Sequence, residues 1–202
     1  MDNIINAPGS GGVVVDGDYL MAIAAADLSQ RGLLRHRGVA VTVMTNLGFH
    51  RAMSSLGVDV VITPVGDRSV LAALEEYDFV LGGEQSGHII HRALATTGDG
   101  LLAALILIEN LARTQVSLDQ AVTVMQSYPQ MLINVRTTER VLDPVSDLAD
   151  EIRAMEETLG AEGRVLVRAS GTEPLVRVMV EAQTESLAMS SALSLANAVI
   201  AR

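Results

Sequence analysis

From Val13 onward the chain alternates short β-branched runs with longer stretches in which apolar positions recur every three or four residues. That order is expected of strand and helix units built around a mostly parallel sheet. Asp18 is positioned to cap a helix reaching about Arg31; 39–45 then reads as a strand and 48–56 as a helix. A strand at 59–65, a helix at 67–77 behind an acidic residue and a strand at 78–81 running into a glycine-rich loop follow, then a long helix over about 100–112. Ser117 and Gln120 have the Ser-x-x-Gln spacing of a capping box, after which Ser127-Tyr128-Pro129 interrupts the pattern and marks a boundary. Residues 13–127 thus read as a mixed, mostly parallel α/β domain. Beyond the break, a strand at 132–136, a helix near 146–159, strands at 164–168 and 175–181 and a helix from about Ser186 make 130–202 a small α+β domain. Residues 1–12 join no period and read as a flexible leader.

Composition narrows the chemistry. Of 202 residues, 49% are hydrophobic, enough for one large core or two small ones. Acidic residues outnumber basic ones 24 to 14, for a net charge of -10, so no diffuse positive field exists to hold nucleic acid or an anionic membrane, and any bound anion must be held locally. All 14 basic residues are Arg, which removes a Walker lysine, a Schiff base and a lysine general base from this chain. With no cysteine, thiol catalysis, thiolate zinc and disulfides are excluded as well. The longest uninterrupted apolar run, 101–108, is far short of a membrane span, and a cytoplasmic protein is expected.

Two polar segments stand out. Arg168-Ala169-Ser170-Gly171-Thr172-Glu173-Pro174, with Arg177 three residues on, joins two strands. Gly171 lets main-chain N–H groups converge, Ser170 and Thr172 add hydroxyls, and Arg168 and Arg177 bring guanidinium forks suited to a phosphate dianion. The same residues also fit an ordinary turn with two solvated arginines, and Arg177 could point away. The second segment, Gly82-Gly83-Glu84-Gln85-Ser86-Gly87-His88, lies at the carboxyl end of a strand, where open α/β sheets place ligands. Its glycines, Gly83 among them, would let the backbone approach a ligand, while Glu84, Ser86 and His88 suit sugar hydroxyls. Alternatively, Glu84 caps a neighbouring helix.

A third set at strand ends, Thr45-Asn46 and Gly66-Asp67-Arg68, could bring Arg68 to a phosphate, with Asp67 as a helix cap and Arg68 as a surface ion-pair partner the alternative. Asp99 reads as a helix cap, and Asp16-Gly17-Asp18 as a turn and cap rather than a cation loop. No metal is assigned. His36, His50 and His91 read as structural or solvated, and the methionines as core fillers.

Taken together, GGEQSGH and RASGTEPLVRVMVE, with VDGDYLMAIAA, VMTNLG, VGDRSV, TTGDGLLAAL and LINVR in the same order, closely resemble the phosphohexose mutase superfamily over residues 13–202, and within it the branch acting on glucosamine phosphates. That resemblance implies four domains around one cleft, of which this chain is similar to the third, which reads the sugar, and the fourth, which clamps phosphate. It also implies an isomerase of amino-sugar metabolism that interconverts glucosamine 6-phosphate and glucosamine 1-phosphate. The route runs through glucosamine 1,6-bisphosphate and an enzyme phosphoserine, with Mg2+. By the same resemblance Glu84, Ser86, His88 and Gly83 bind the sugar, and Arg168, Ser170, Gly171, Thr172 and Arg177 hold the phosphate not being transferred. The chain contains neither a Ser-His-Asn-Pro loop nor an Asp-Gly-Asp-Gly-Asp-Arg run, so no catalytic residue is assigned and the chain alone is expected to be inactive. Its expected partners are a phosphorylated amino sugar, phosphate or sulfate, and upstream domains of the same enzyme. The alternatives are a stand-alone, non-catalytic phosphosugar-binding module, or another phosphohexose mutase such as a phosphomannomutase.

Overall fold

Val39, Ala40 and Val41 are all almost fully buried, with alternate side chains entering different cores, which marks their strand as the centre of a sheet covered on both faces. In the computed structural model, residues 5–6, 14–139 and 141–202 are described, and the chain divides into two compact units, Met1–Ser127 and Tyr128–Arg202. The first contains β1 (Ile5–Asn6), β2 (Val14–Val15), α1 (Gly17–Gln30), β3 (Gly38–Thr42), α2 (Leu47–Ser55), β4 (Asp59–Thr63), α3 (Asp67–Glu76), β5 (Leu81–Gly83), β6 (Ile89–His91), α4 (Gly100–Thr114) and α5 (Leu118–Ala121). Its sheet has the order β4-β3-β5-β6, in which β3 is parallel to both β4 and β5 while β6 is antiparallel to β5. Side chains of α1, α2 and α4 fill one face and those of α3 the other, giving three layers. Of the expected leader, only Ile5–Asn6 is described, as a strand pairing antiparallel with β2; the rest lies outside the described residues.

The second unit contains β7 (Gln130–Arg136), α6 (Pro144–Asp147), α7 (Ala149–Leu159), β8 (Arg164–Ala169), β9 (Leu175–Glu181) and α8 (Glu185–Ile200). Its antiparallel sheet has the order β7-β9-β8. Val135, Val167, Val176, Val178 and Val180 turn one face to Ala188, Ala192, Leu195 and Ala196 of α8. Period two then sends Arg177 to the opposite face, the one not built into that core. Among the described residues, no single helix is long and apolar enough to cross a membrane.

Local chemistry departs from the sequence expectations at three places. Asp16, not Asp18, caps α1, its Oδ1 accepting from the N–H groups of Asp18 and Tyr19 at 3.1 and 3.3 Å. Asp18 is buried one residue into the helix, where its Oδ2 accepts from the Asn46 N–H at 2.8 Å. Gly82 and Gly83 lie inside β5 rather than in a loop, and β6, absent from the expectations, returns beside them. Finally, α3 has Gly66 at its N-cap and Asp67 already in its first turn.

Candidate functional site

In the first unit, Val14, Asp16, Thr42, Met44, Val65, Glu84, Gln85 and Ser86 line a cleft of about 390 Å3 at the carboxyl ends of β3, β4 and β5. This is where an open parallel sheet offers main-chain groups to a ligand. The segment between β5 and β6 is a tight turn, with the Glu84 N–H donating to the His88 carbonyl at 3.1 Å and the Gly87 N–H to the Glu84 carbonyl at 2.9 Å. Gly87 takes φ +98°, a bend that an L side chain would strain. The turn is stitched to the start of α1, because the Gly17 N–H donates to the Gln85 carbonyl at 3.0 Å and the Gln85 amide reaches Asp16 Oδ2 at 3.4 Å. A Cβ on Gly17 would stand 2.2 Å from the Glu84 carbonyl oxygen, so this glycine exists to let two backbones meet.

Glu84 is only 8% exposed. Its Oε1 accepts from the Gly66 N–H at 3.0 Å, fixing the residue that precedes α3, while Oε2 lies 3.6 Å from His88 Nδ1. The two carboxylate oxygens are thus used differently: one anchors the start of α3, and the other stands beside His88. Ser86 is exposed and His88 about half so. Gly83 is not in this turn; a Cβ there would lie 2.5 Å from the His88 carbonyl oxygen and 2.9 Å from Met21 Sδ, so close packing inside the sheet explains the glycine. Burial is the largest influence on Asp16 and raises its carboxyl above the usual aspartate range despite its hydrogen bonds.

The third set does not assemble as a site. Thr45 and Asn46 are buried, with Asn46 Oδ1 capping α2 through the Gly48 N–H at 2.9 Å. Thr42 and Met44 line the cleft instead, residues that counting outward from the end of the strand would have found. Arg68 is exposed at the start of α3 and makes no ion pair among the described residues. Asp99 caps α4 through the Leu102 N–H at 3.0 Å. His91 is buried, which lowers its pKa, whereas His36 is exposed beside Asp78. The magnesium that the resemblance implies has no fitting ligand set here: among the described residues no three His, Cys, Asp or Glu side chains converge, and Asp16 and Asp18 are held by main-chain N–H groups.

In the second unit, Arg168 on β8 is directly opposite Arg177 on β9. Directly opposed residues project from one sheet face, so the two like charges repel. Burial chiefly, and the Arg177 charge second, lower the Arg168 pKa. Neither arginine has a carboxylate partner among the described residues, and Arg177 Nε is buried without a hydrogen bond. The contrast within the same sheet is direct, since Arg164 forms a two-pronged pair with Glu181 at 3.0 and 3.1 Å. Beside the unpaired arginines, Ser170 is buried, its N–H donating to the Leu175 carbonyl and its Oγ accepting from the Glu173 N–H at 3.3 Å. Its hydroxyl hydrogen remains to be donated. Gly171 and Thr172 are exposed, and among the described residues beyond its two chain neighbours nothing lies within 4 Å of where a Gly171 Cβ would be.

A three-layer α/β unit with a cleft at its strand ends, followed by an antiparallel α+β unit carrying an unpaired arginine couple, defines a two-domain module of the phosphosugar-mutase class. Residues 16–128 match phosphoglucomutase/phosphomannomutase alpha/beta/alpha domain III, and residues 132–198 match the C-terminal domain of the same family. The chain belongs to the phosphoglucomutase/phosphomannomutase family. It is 51% identical over 189 residues to a phosphoglucosamine mutase of Frankia alni, covering 93% of this chain and 42% of that protein. With the phosphoglucosamine mutase of Bacillus cytotoxicus it is 46% identical over 177 residues, 87% of this chain and 40% of that one. The chain thus spans less than half the length of these relatives. The fold is shared with Aspergillus fumigatus N-acetylphosphoglucosamine mutase, solved with GlcNAc-6P and magnesium, at a TM-score of 0.79 and 23% identity, over 97% of this chain and 46% of that one.

Proposed function

We propose that this chain is the sugar-reading and phosphate-holding part of a cytoplasmic phosphoglucosamine mutase, which interconverts glucosamine 6-phosphate and glucosamine 1-phosphate through the 1,6-bisphosphate. The observation that carries the reading is the Arg168–Arg177 couple, two like charges facing each other with no carboxylate between them. A phosphate dianion converts that repulsion into charge-assisted hydrogen bonds. The Ser170 and Thr172 hydroxyls donate beside it, and the open space at Gly171 lets a phosphate oxygen approach the main chain. In the first unit, Glu84 Oε2 accepts from a sugar hydroxyl or the 2-ammonium group, and Ser86 and His88 read neighbouring oxygens. These groups act by orientation and charge, which is what phosphoryl transfer asks of most protein groups. The phosphoserine and the magnesium belong to the remainder of such an enzyme.

Heteronuclear NMR titration with inorganic phosphate and then with glucosamine 6-phosphate tests this. Phosphate should move the Arg168 and 170–172 signals with an affinity on the order of millimolar, since one isolated subsite buries little ligand, and the sugar phosphate should additionally move 84–88. Absence of any phosphate response at 168–177 would overturn the reading.

A further inference from the structure

In the antiparallel ladders, Asn134 of β7 is directly opposite Arg177, which is directly opposite Arg168, so the three form one row across β7, β9 and β8. Directly opposed residues project from the same face, with Cβ atoms about 5 Å apart. Asn134 is exposed and has room to turn its amide. Arg177 Nε is buried and makes no hydrogen bond, a condition that costs free energy until an acceptor arrives. Arg177 has five N–H donors in one plane: Nε–H and one terminal N–H face one side, as in the Arg164–Glu181 pair, and the two terminal nitrogens present a second fork at the end. An acceptor on the β7 side of the row can therefore satisfy Nε while leaving the terminal nitrogens directed at a ligand.

We propose that Asn134 is a positioning residue for the phosphate site: its Oδ1 accepts the Arg177 Nε–H when phosphate is bound and fixes the guanidinium plane so that the terminal N–H groups meet the phosphate oxygens. The inference rests on the phosphate-binding reading of the Arg168–Arg177 couple and adds the neutral side chain that orients it. A neutral acceptor suits the task, because a carboxylate in the same place would cancel the charge the phosphate needs.

The test uses the full chain, inorganic phosphate and the Arg177 Nε–H signal in a nitrogen-edited spectrum. In the wild-type protein phosphate should slow exchange of that proton and shift it. Asn134→Leu, at an exposed strand position that tolerates an apolar side chain, should keep the folded amide spectrum, lose that protection and bind phosphate about three- to tenfold more weakly, the equivalent of one hydrogen bond. Asn134→Asp should keep Nε protected even without phosphate yet bind phosphate more weakly than wild type, a separation that loss of packing alone would not produce. Wild-type affinity together with an unchanged Nε signal in Asn134→Leu would overturn the proposal and leave the phosphate reading standing. A wild-type protein that does not respond to phosphate at 168–177 would overturn both.

Discussion

The turn at 84–88 and the turn at 170–174 are both short, polar and glycine-bearing, but their polar groups are committed differently. In the first, main-chain bonds close the turn, Gln85 and Gly17 tie it to α1, and half of the Glu84 carboxylate anchors Gly66 ahead of α3. The second is closed by Ser170, Glu173 and Leu175, yet the arginines beside it face each other without a counter-charge. The first loop is thus largely completed by the protein itself and shapes a cleft. The second is left electrostatically incomplete, as a site built for a charged ligand is expected to be.

The largest test of this contrast is steric. Gly17→Ala should destabilise the fold by about 3 kcal/mol or more, since its Cβ would sit 2.2 Å from a backbone oxygen that cannot swing aside. Urea unfolding measures this, and wild-type stability would mean that the 84–88 turn is not braced on α1.

Next comes the charge. Arg177→Ala should weaken inorganic phosphate binding by about 1.5–3 kcal/mol, the contribution of a charge-assisted hydrogen bond, without loss of stability, because a cross-strand repulsion disappears with it. Glu84→Ala should leave inorganic phosphate binding nearly unchanged while weakening the sugar phosphate and loosening the start of α3. Equal losses of phosphate binding in the two variants, read by NMR titration, would erase the distinction between the loops.

A smaller effect is expected of Gly171→Ala, whose added methyl meets nothing within 4 Å. Its stability should change by less than about 0.5 kcal/mol, while phosphate affinity should fall as the methyl enters the open space beside the turn. Calorimetry on the same sample that is titrated would check both halves.

The smallest effect is a pH dependence. Burial raises the Asp16 carboxyl, so the folded chain holds that proton more tightly than the unfolded chain. The resulting stabilisation is complete below the ordinary aspartate pKa and is lost as pH rises through the raised value. Asp16→Asn, which keeps the cap and removes the charge, should therefore match wild type in acid and gain on it as pH rises through that range. Thermal melts across pH 3 to about pH 7 should show the two curves diverging in that direction.

Much of the fold was legible because its elements are written in local periods. The β-branched run read as a strand over 39–45 forms β3, which ends at Thr42, and the Ser117–Gln120 spacing announced a capping box, with both of its hydrogen bonds present in the structure. The Asp18 cap and the placing of Gly82 and Gly83 in a loop were misread for one physical reason. An aspartate at a helix start and a glycine pair after an apolar run carry the same local signal whether they face solvent or another backbone, and only the packed neighbours decide.

The sequence by itself therefore determined the order of helices and strands, an α/β half followed by an α+β half, and the residue types clustered in its two polar turns. Tertiary structure alone decided that Glu84 divides its oxygens between Gly66 and His88, that Thr42 and Met44 rather than Thr45 and Asn46 reach the cleft, and that Asn134, Arg177 and Arg168 form one row. The physical reason is range. Helical and strand periods arise from contacts within a few residues, whereas strand register joins positions dozens of residues apart, and a slip of one residue would send Arg177 to the opposite face of the sheet.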